Sequence, residues 1–244
     1  MPTTSLKTIK DRATENSSFF NIAISVDCVI FGFDQSELKV LLIKSDLEEF
    51  TGQWSLLGDL VQPNETLKEA SSRVLKQRTG LENVYLEQVH TFSATGRHPA
   101  GRVVTTAYLS LVNIRNLDLQ LWDPELHWYP VREIENMAFD HKKIVGTCLR
   151  QLQLRVEDDP VVLNLLPQKF SLRELQNLYE AILGTKLDRR NFRKKFFLMD
   201  WLEDMEEMEK DVPHRPGKLY RSKTFQKHRP TFDMALRLKA SVNN

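Results

Sequence analysis

Cysteine is nearly absent from this chain: its 244 residues include two, Cys28 and Cys148, far apart and each inside an apolar-periodic stretch. Two isolated thiols make neither a disulfide framework nor a thiolate metal site, which fits buried, reduced side chains in a cytoplasmic protein. Long hydrophobic runs are missing too. No stretch approaches the roughly eighteen apolar residues of a membrane span, and Met1–Ser17 is polar and charged rather than a signal sequence. No membrane partner and no cofactor is expected. Nor does either charge dominate, the formal net being +1. The asymmetry is local: from Val212 onward eight Lys or Arg face a single acid, Asp233, so this segment carries +7.

What is present divides into three parts. Residues 1–17 read as a flexible arm, 18–156 as a first domain and 157–244 as a second, with the charged break Glu157, Asp158, Asp159 and Pro160 between the two domains. In the first domain Phe19–Phe33 alternates as a strand, with Phe20, Ile22, Ile24, Val26, Cys28 and Ile30 on one side. Asp27 lies on the other side among Ala23, Val29 and Phe31. It is either hydrogen-bonded for structural reasons or part of a pocket wall. Further strands are expected at 38–43, 84–93, 102–114 and 126–131. Asp140 is read as the N-cap of a helix from His141 to about Leu154, which places Ile144, Cys148 and Leu152 on one face.

The organising stretch is Gly58–Leu81, GDLVQPNETLKEASSRVLKQRTGL. Gly58, Pro63 and Asn64 are turn chemistry, Leu67, Ala70 and Val74 recur at helical spacing, and Gly80 sits where a helix C-cap takes glycine. This pattern resembles the Nudix box: Gly, five residues, Glu, seven residues, then Arg-Glu-hydrophobe-any-Glu-Glu-any-Gly-hydrophobe. Glu65, Arg73, Leu75, Gly80 and Leu81 match it. Asp59 replaces a glycine, and Val74, Gln77 and Arg78 replace the three later glutamates. In the family those glutamates hold divalent cations that polarise a pyrophosphate and activate water. Valine offers no ligand oxygen, glutamine is a poor substitute, and arginine puts a positive charge where the cation would sit. The resemblance therefore implies the frame of a Nudix domain without its hydrolysis.

Two neighbouring features belong with the box. Gly52, Trp54, Leu56 and Gly58 form a G-x-W-x-L-x-G run typical of the same family, with Trp54 either core or an apolar wall for a ligand. The loop from Thr95 to Gly101 looks like a thinned version of the arginine-rich RDPRGR segment of Nudix-related regulators, keeping Arg97, His98, Pro99, Gly101 and Arg102. Its arginines either bind an anionic or hydroxyl-rich ligand or decorate a solvated turn, with Arg102 in a surface ion pair. The expected ligand-binding set is Asp27, Trp54, Asp59, Arg97 and Arg102.

In the second domain Ser171 N-caps a helix whose buried stripe is Leu172, Leu175, Leu178, Tyr179 and Ile182, and Gly184 ends it. The next helix, from Asp188 to about Met199, turns Phe192, Phe196 and Met199 inward and Arg189, Arg190, Arg193 and Lys194 outward. Helix, turn and basic helix, then Arg215, Lys218 and Arg221 in a turn and short strand, is the order of a winged helix. The candidate DNA-binding residues are these seven basic ones and Asn191. The acidic stretch from Asp200 to Asp211 is expected to face away from phosphate.

Four segments together, SVDCVIFGF, GQWSLLGDLVQPNETL, RVLKQRTGLENVYLEQVHTF and LLPQKFSLRELQNLYEAILGTKLDRRNFRKK, are similar to the bacterial Nudix-related transcriptional regulators. That resemblance implies an α+β protein: an N-terminal α-β-α sandwich with a mixed sheet, then a winged helix-turn-helix. It also implies a homodimer on a double-stranded operator and a small-molecule effector. One branch of the family senses ADP-ribose and governs NAD metabolism; another responds to L-arabinose. The depleted arginine loop and degraded box lean mildly towards the pentose. A pyrophosphohydrolase acting on ADP-ribose or a related nucleoside diphosphate derivative is the alternative.

Overall fold

The computed structural model describes residues 21–45, 47–115, 125–223 and 231–232. The expected arm at 1–17, and most of the basic segment beyond Lys223, lie outside the described residues.

β1 (Ala23–Phe33) is the spine of the first domain. Val26, Cys28 and Ile30 fill one face and Val29, Phe31 and Phe33 the other, each no more than 2% exposed. A strand buried on both faces belongs in the middle of a layered fold. The strands β2 (Leu38–Lys44), β3 (Trp54–Ser55) and β4 (Leu57–Leu60) follow on one side of it, with β2 and β4 antiparallel to β1. Helix α1 (Leu67–Thr79) and the short β5 (Leu81–Glu82) come next. On the other side β7 (Val103–Asn113) runs parallel to β1 along its whole length, and β6 (Glu87–Phe92) is antiparallel to β7. β8 (Leu126–Pro130) pairs with β2, completing a mixed sheet.

Helix α1 begins where local chemistry dictates. Thr66 and Glu69 exchange the two hydrogen bonds of a capping box, and Gly80 ends the helix at φ 71°. Its buried Ala70, Val74 and Leu75 pack on the Cys28 face. Helix α2 (His141–Arg155) covers the Val29 face with Ile144, Val145, Cys148 and Leu152. The result is the expected α-β-α sandwich. Burial pushes both thiols up, Cys148 to about 12, so neither is a nucleophile at neutral pH.

Asp140 precedes α2 but makes no capping hydrogen bond. Its carboxylate is taken by Arg97 instead, a partner 43 residues away in sequence. Asp140 thus holds the expected N-cap position, but its side chain serves a tertiary ion pair instead of the cap.

The turn at Pro160–Leu165 leads into β9 (Phe170–Ser171), α3 (Leu172–Leu183) and α4 (Arg189–Met199). Ser171 and Glu174 form a second capping box and Gly184 closes α3 at φ 74°. Asp188 caps α4 through the Asn191 amide at 2.8 Å. Glu180 braces the turn between these helices. Burial alone would raise its carboxyl, but Lys186, the Leu187 amide and Gln176 hold it below the usual range. Tyr179 meets Phe192 and Phe196 edge-on at 5.4 and 4.9 Å, locking α4 to α3.

β10 (Leu202–Met208) and β11 (Lys218–Ser222) form a hairpin that joins β9 in a three-stranded sheet, the wing. The acidic stretch is therefore not set apart from the basic strand. It is the neighbouring strand, with Glu203 opposite Arg221 and Asp204 opposite Tyr220. Cross-strand charge pairing accounts for its composition. β12 (Thr231–Phe232) pairs with β5.

One hydrophobic cluster runs from Val29, Phe31 and Leu109 through α2 and Val162 to Leu175, Phe192 and Tyr220. The Gln153 amide donates to the Ile182 carbonyl at 2.9 Å, tying the C-terminal half of α2 to the end of α3.

Candidate functional site

A cavity of about 550 Å3 opens at the start of β1, lined by Ser25 and Asp27, by Gly58 and Asp59, and by the 97–103 loop. Asp27 sits opposite Gly58 in the β1–β4 register. The approach is so close that a β-carbon on Gly58 would lie 2.5 Å from Asp27 Oδ1 and 2.7 Å from the Val26 carbonyl. Only glycine fits there.

Asp27 belongs to a buried ionic cluster as well as to the wall. Arg97, its side chain 4% exposed, donates to both carboxylate oxygens of Asp140 at 2.7 and 3.2 Å and stands 3.6 Å from Asp27 Oδ2. His141 Nε2 lies 3.5 Å from Asp27 Oδ1. The Leu56 amide donates to His141 Nδ1 at 3.0 Å, so that nitrogen carries no proton and the ring is neutral with its hydrogen on Nε2. Burial pushes His141 below its ordinary value, against the attraction of Asp27. Arg97 is thus not on a solvated turn. Among the described residues Arg102 has no ion-pair partner; it donates to the carbonyls of Ser93 and Ala94 at 2.7 and 3.2 Å.

Asp59 also lines the cavity, held by Arg73 at 2.7 Å and by the Leu60 amide at 2.8 Å. Arg73 in turn binds Glu65, whose carboxyl it holds below the usual range. Both box acids are therefore neutralised by a box arginine. Glu69 is committed to the Thr66 cap. Among the described residues no group of three or more His, Cys, Asp or Glu could hold a metal ion.

Trp54 is the one expected ligand-binding residue that lies elsewhere. Along β3 it alternates with Ser55, so Ser55 faces the cavity and Trp54 the opposite side, against His127 and Tyr129 and under the Lys44 ammonium at 3.6 Å. The aromatic wall is built by residues that sequence reasoning passed over. Phe139, held at φ 54°, stacks on His98 at 4.8 Å and touches Phe50 and His141 at 4.4 and 4.9 Å. A left-handed phenylalanine is strained backbone, the kind that persists at binding sites. Its signal is conformational and invisible in the residue type. Arg78 also reaches the cavity, and Lys44 lines it with its ammonium turned to Trp54 and the Gly52 carbonyl. Arg78 had been noted only as a lost glutamate.

A second concavity of about 540 Å3 lies between α3, α4 and the wing. It brings together Arg189, Arg193, Arg215 and Lys218 from the expected set and adds Arg173 and Phe197. Arg190 and Lys194 are exposed on α4 outside this groove, and Asn191 lines a separate hollow beside Phe192. Among the described residues Arg189, Arg190, Arg193, Lys194 and Arg215 have no ion-pair partner. The wing differs: Lys218 pairs with Asp204 at 2.8 Å and Arg221 grips Glu203 at 2.7 and 2.9 Å, pulling both carboxyls below the usual range. An open helix and a neutralised wing share one face.

A helix-turn-helix with a wing, fused to a Nudix-type sandwich, defines a two-part architecture that joins a small-molecule cavity to a basic groove. Comparison with known proteins agrees. The Nudix domain matches residues 22–148, and the NrtR DNA-binding winged helix domain matches residues 162–222. The ADPR responsive transcriptional repressor NtrR of Acinetobacter baylyi is 30% identical over 212 residues, covering 85% of this chain and 84% of that protein. The chain belongs to the NrtR family, a Nudix domain followed by a winged-helix DNA-binding domain. The structure of Shewanella oneidensis NrtR complexed with a 27mer DNA is 28% identical, covers 82% of this chain and 93% of that one, and has a TM-score of 0.73. Its Nudix domain complexed with ADP ribose is 25% identical over 60% of this chain and 99% of that one, TM-score 0.50. An ADP-ribose pyrophosphatase of Methanocaldococcus jannaschii is 29% identical over 60% of this chain and 85% of that protein. No helix among the described residues is long and apolar enough to cross a membrane.

Proposed function

We propose that the chain is an ADP-ribose-responsive transcriptional repressor of the cytoplasm, whose Nudix domain senses the effector without hydrolysing it. The observation that carries this reading is the composition of the cavity, which is lined by the Arg78 guanidinium and by the Phe139 and His98 stack. A guanidinium suits a diphosphate and stacked rings suit a base. A volume of about 550 Å3 exceeds what a pentose would fill, and an uncharged sugar gives the Arg78 guanidinium no partner. The lean towards L-arabinose is therefore withdrawn in favour of ADP-ribose. The relatives point the same way, two of the three being a repressor and an ADP-ribose-bound regulator.

In this reading α2 carries the signal. Its first residue, His141, lines the cavity, Asp140 just before it holds Arg97, and Gln153 near its end binds α3. Displacing the 97–103 loop shifts Arg97 against Asp140, moving the helix on which the winged helix rests. The DNA face comprises α4 and the wing, and a homodimer reads two half-sites.

Calorimetric titration with ADP-ribose and with L-arabinose tests the effector. ADP-ribose alone should bind; exclusive binding of the pentose would reverse the assignment. The pyrophosphatase relative supports a second reading, a hydrolase. Turnover of ADP-ribose with magnesium or manganese on the order of 1 per second would establish it.

A further inference from the structure

The Nudix fold implies a divalent cation, and the residues present do not fit one. Of the family's three later glutamates, Val74 is buried in the core under α1, and Gln77 and Arg78 are exposed on its last turns. The remaining acids of the region, Asp59, Glu65 and Glu69, are committed to Arg73 and to the Thr66 cap. A hard cation needs several free oxygens at one point.

Of the guanidinium groups that line the cavity, Arg97 is buried between Asp140 and Asp27, and Arg102 is spent on two carbonyls. Lys44 donates to the Gly52 carbonyl at 2.8 Å. Arg78 lines the same cavity with no hydrogen-bond or ion-pair partner among the described residues. Its neighbour Lys76 already pairs with Glu82 at that end of the helix. An exposed arginine that structure does not use therefore stands where the family places a metal ligand.

We propose that Arg78 replaces the divalent cation of the Nudix fold, its guanidinium receiving the diphosphate of ADP-ribose so that effector binding requires no metal. This rests on the effector reading above. A guanidinium matches phosphate oxygens with two parallel donors and supplies the positive charge that the diphosphate needs. It does not deliver an activated water. The same substitution that removes hydrolysis thus supplies affinity, and the sensor leaves its signal intact.

The test is titration of ADP-ribose into the full chain and into Arg78→Ala, Arg78→Lys and Arg78→Glu, each in magnesium and in EDTA, with unliganded melting temperatures alongside. Wild-type affinity should agree within about twofold in the two buffers. Arg78→Ala should weaken binding roughly 10- to 100-fold, the worth of charged hydrogen bonds, with its melting temperature unchanged. Arg78→Lys should retain part of the affinity and Arg78→Glu none. Binding that needs magnesium, or that survives Arg78→Ala unweakened, overturns the inference and leaves the effector reading standing. Failure of the wild-type chain to bind ADP-ribose in either buffer overturns both.

Discussion

Acidification should weaken this protein through one imidazole. His141 is neutral in the fold because its Nδ1 accepts the Leu56 amide hydrogen at 3.0 Å, and burial adds to the penalty on the charged ring. Protonation would set two hydrogens against each other and leave a buried amide without an acceptor, a loss of about 1–3 kcal/mol. The sign follows from proton counting. A histidine whose native affinity for protons is depressed binds fewer protons folded than unfolded, so stability falls as pH drops through the unfolded value of about 6.5. The slope cannot exceed about 1.4 kcal/mol per pH unit for one proton. Asp27 and Asp140 attract the charged ring and offset part of the penalty, while Arg97 and His98 add to it. Urea denaturation at pH 7, 6 and 5 should show the loss in the wild type. In His141→Asn, whose amide oxygen keeps the Leu56 contact, the pH dependence below 6.5 should flatten. Equal slopes in the two proteins would refute the argument.

Further perturbations follow from the same geometry. Gly58→Ala should destabilise by about 1–3 kcal/mol, because its β-carbon meets the Val26 backbone carbonyl as well as the Asp27 carboxylate; a melting temperature equal to wild type would contradict this. Arg190→Ala should cost about 1–3 kcal/mol of operator affinity and relax preference at one base, measured by binding to operator variants. Lys218→Ala should do less than an unpaired phosphate contact, since Asp204 already holds Lys218; Asp204→Asn should tighten binding and steepen its salt dependence, and a shallower slope would remove the wing from the interface.

Much of the fold could be read from local chemistry. Ser171 and the glycines at 80 and 184 mark helix ends through contacts within a few residues, and each stands where spacing put it; the capping boxes of Thr66 with Glu69 and of Ser171 with Glu174 use contacts just as local. Asp140 stands at the N-cap position as read, but its side chain does not cap because Arg97 arrives from a distant loop and takes the carboxylate. The acidic stretch hid a strand because its partners Lys218 and Arg221 lie across a hairpin. At the cavity the ionic residues Asp27, Asp59, Arg97 and Arg102 were legible as polar groups in apolar or glycine-rich surroundings. Trp54 was misplaced because a two-residue strand sends adjacent side chains to opposite faces, and nothing nearby marks which one faces inward. Phe139 acts through a backbone angle that its identity does not encode.

In the proposed function the cavity and the DNA face are coupled, and that coupling can be measured directly. Binding of the chain to DNA from its own upstream region should be titrated without and with saturating ADP-ribose, at one salt concentration. The account predicts a change in apparent Kd of at least about fivefold, and the same factor in ADP-ribose affinity when DNA is saturating, since linkage is reciprocal. Identical DNA affinity with and without bound ADP-ribose would contradict it.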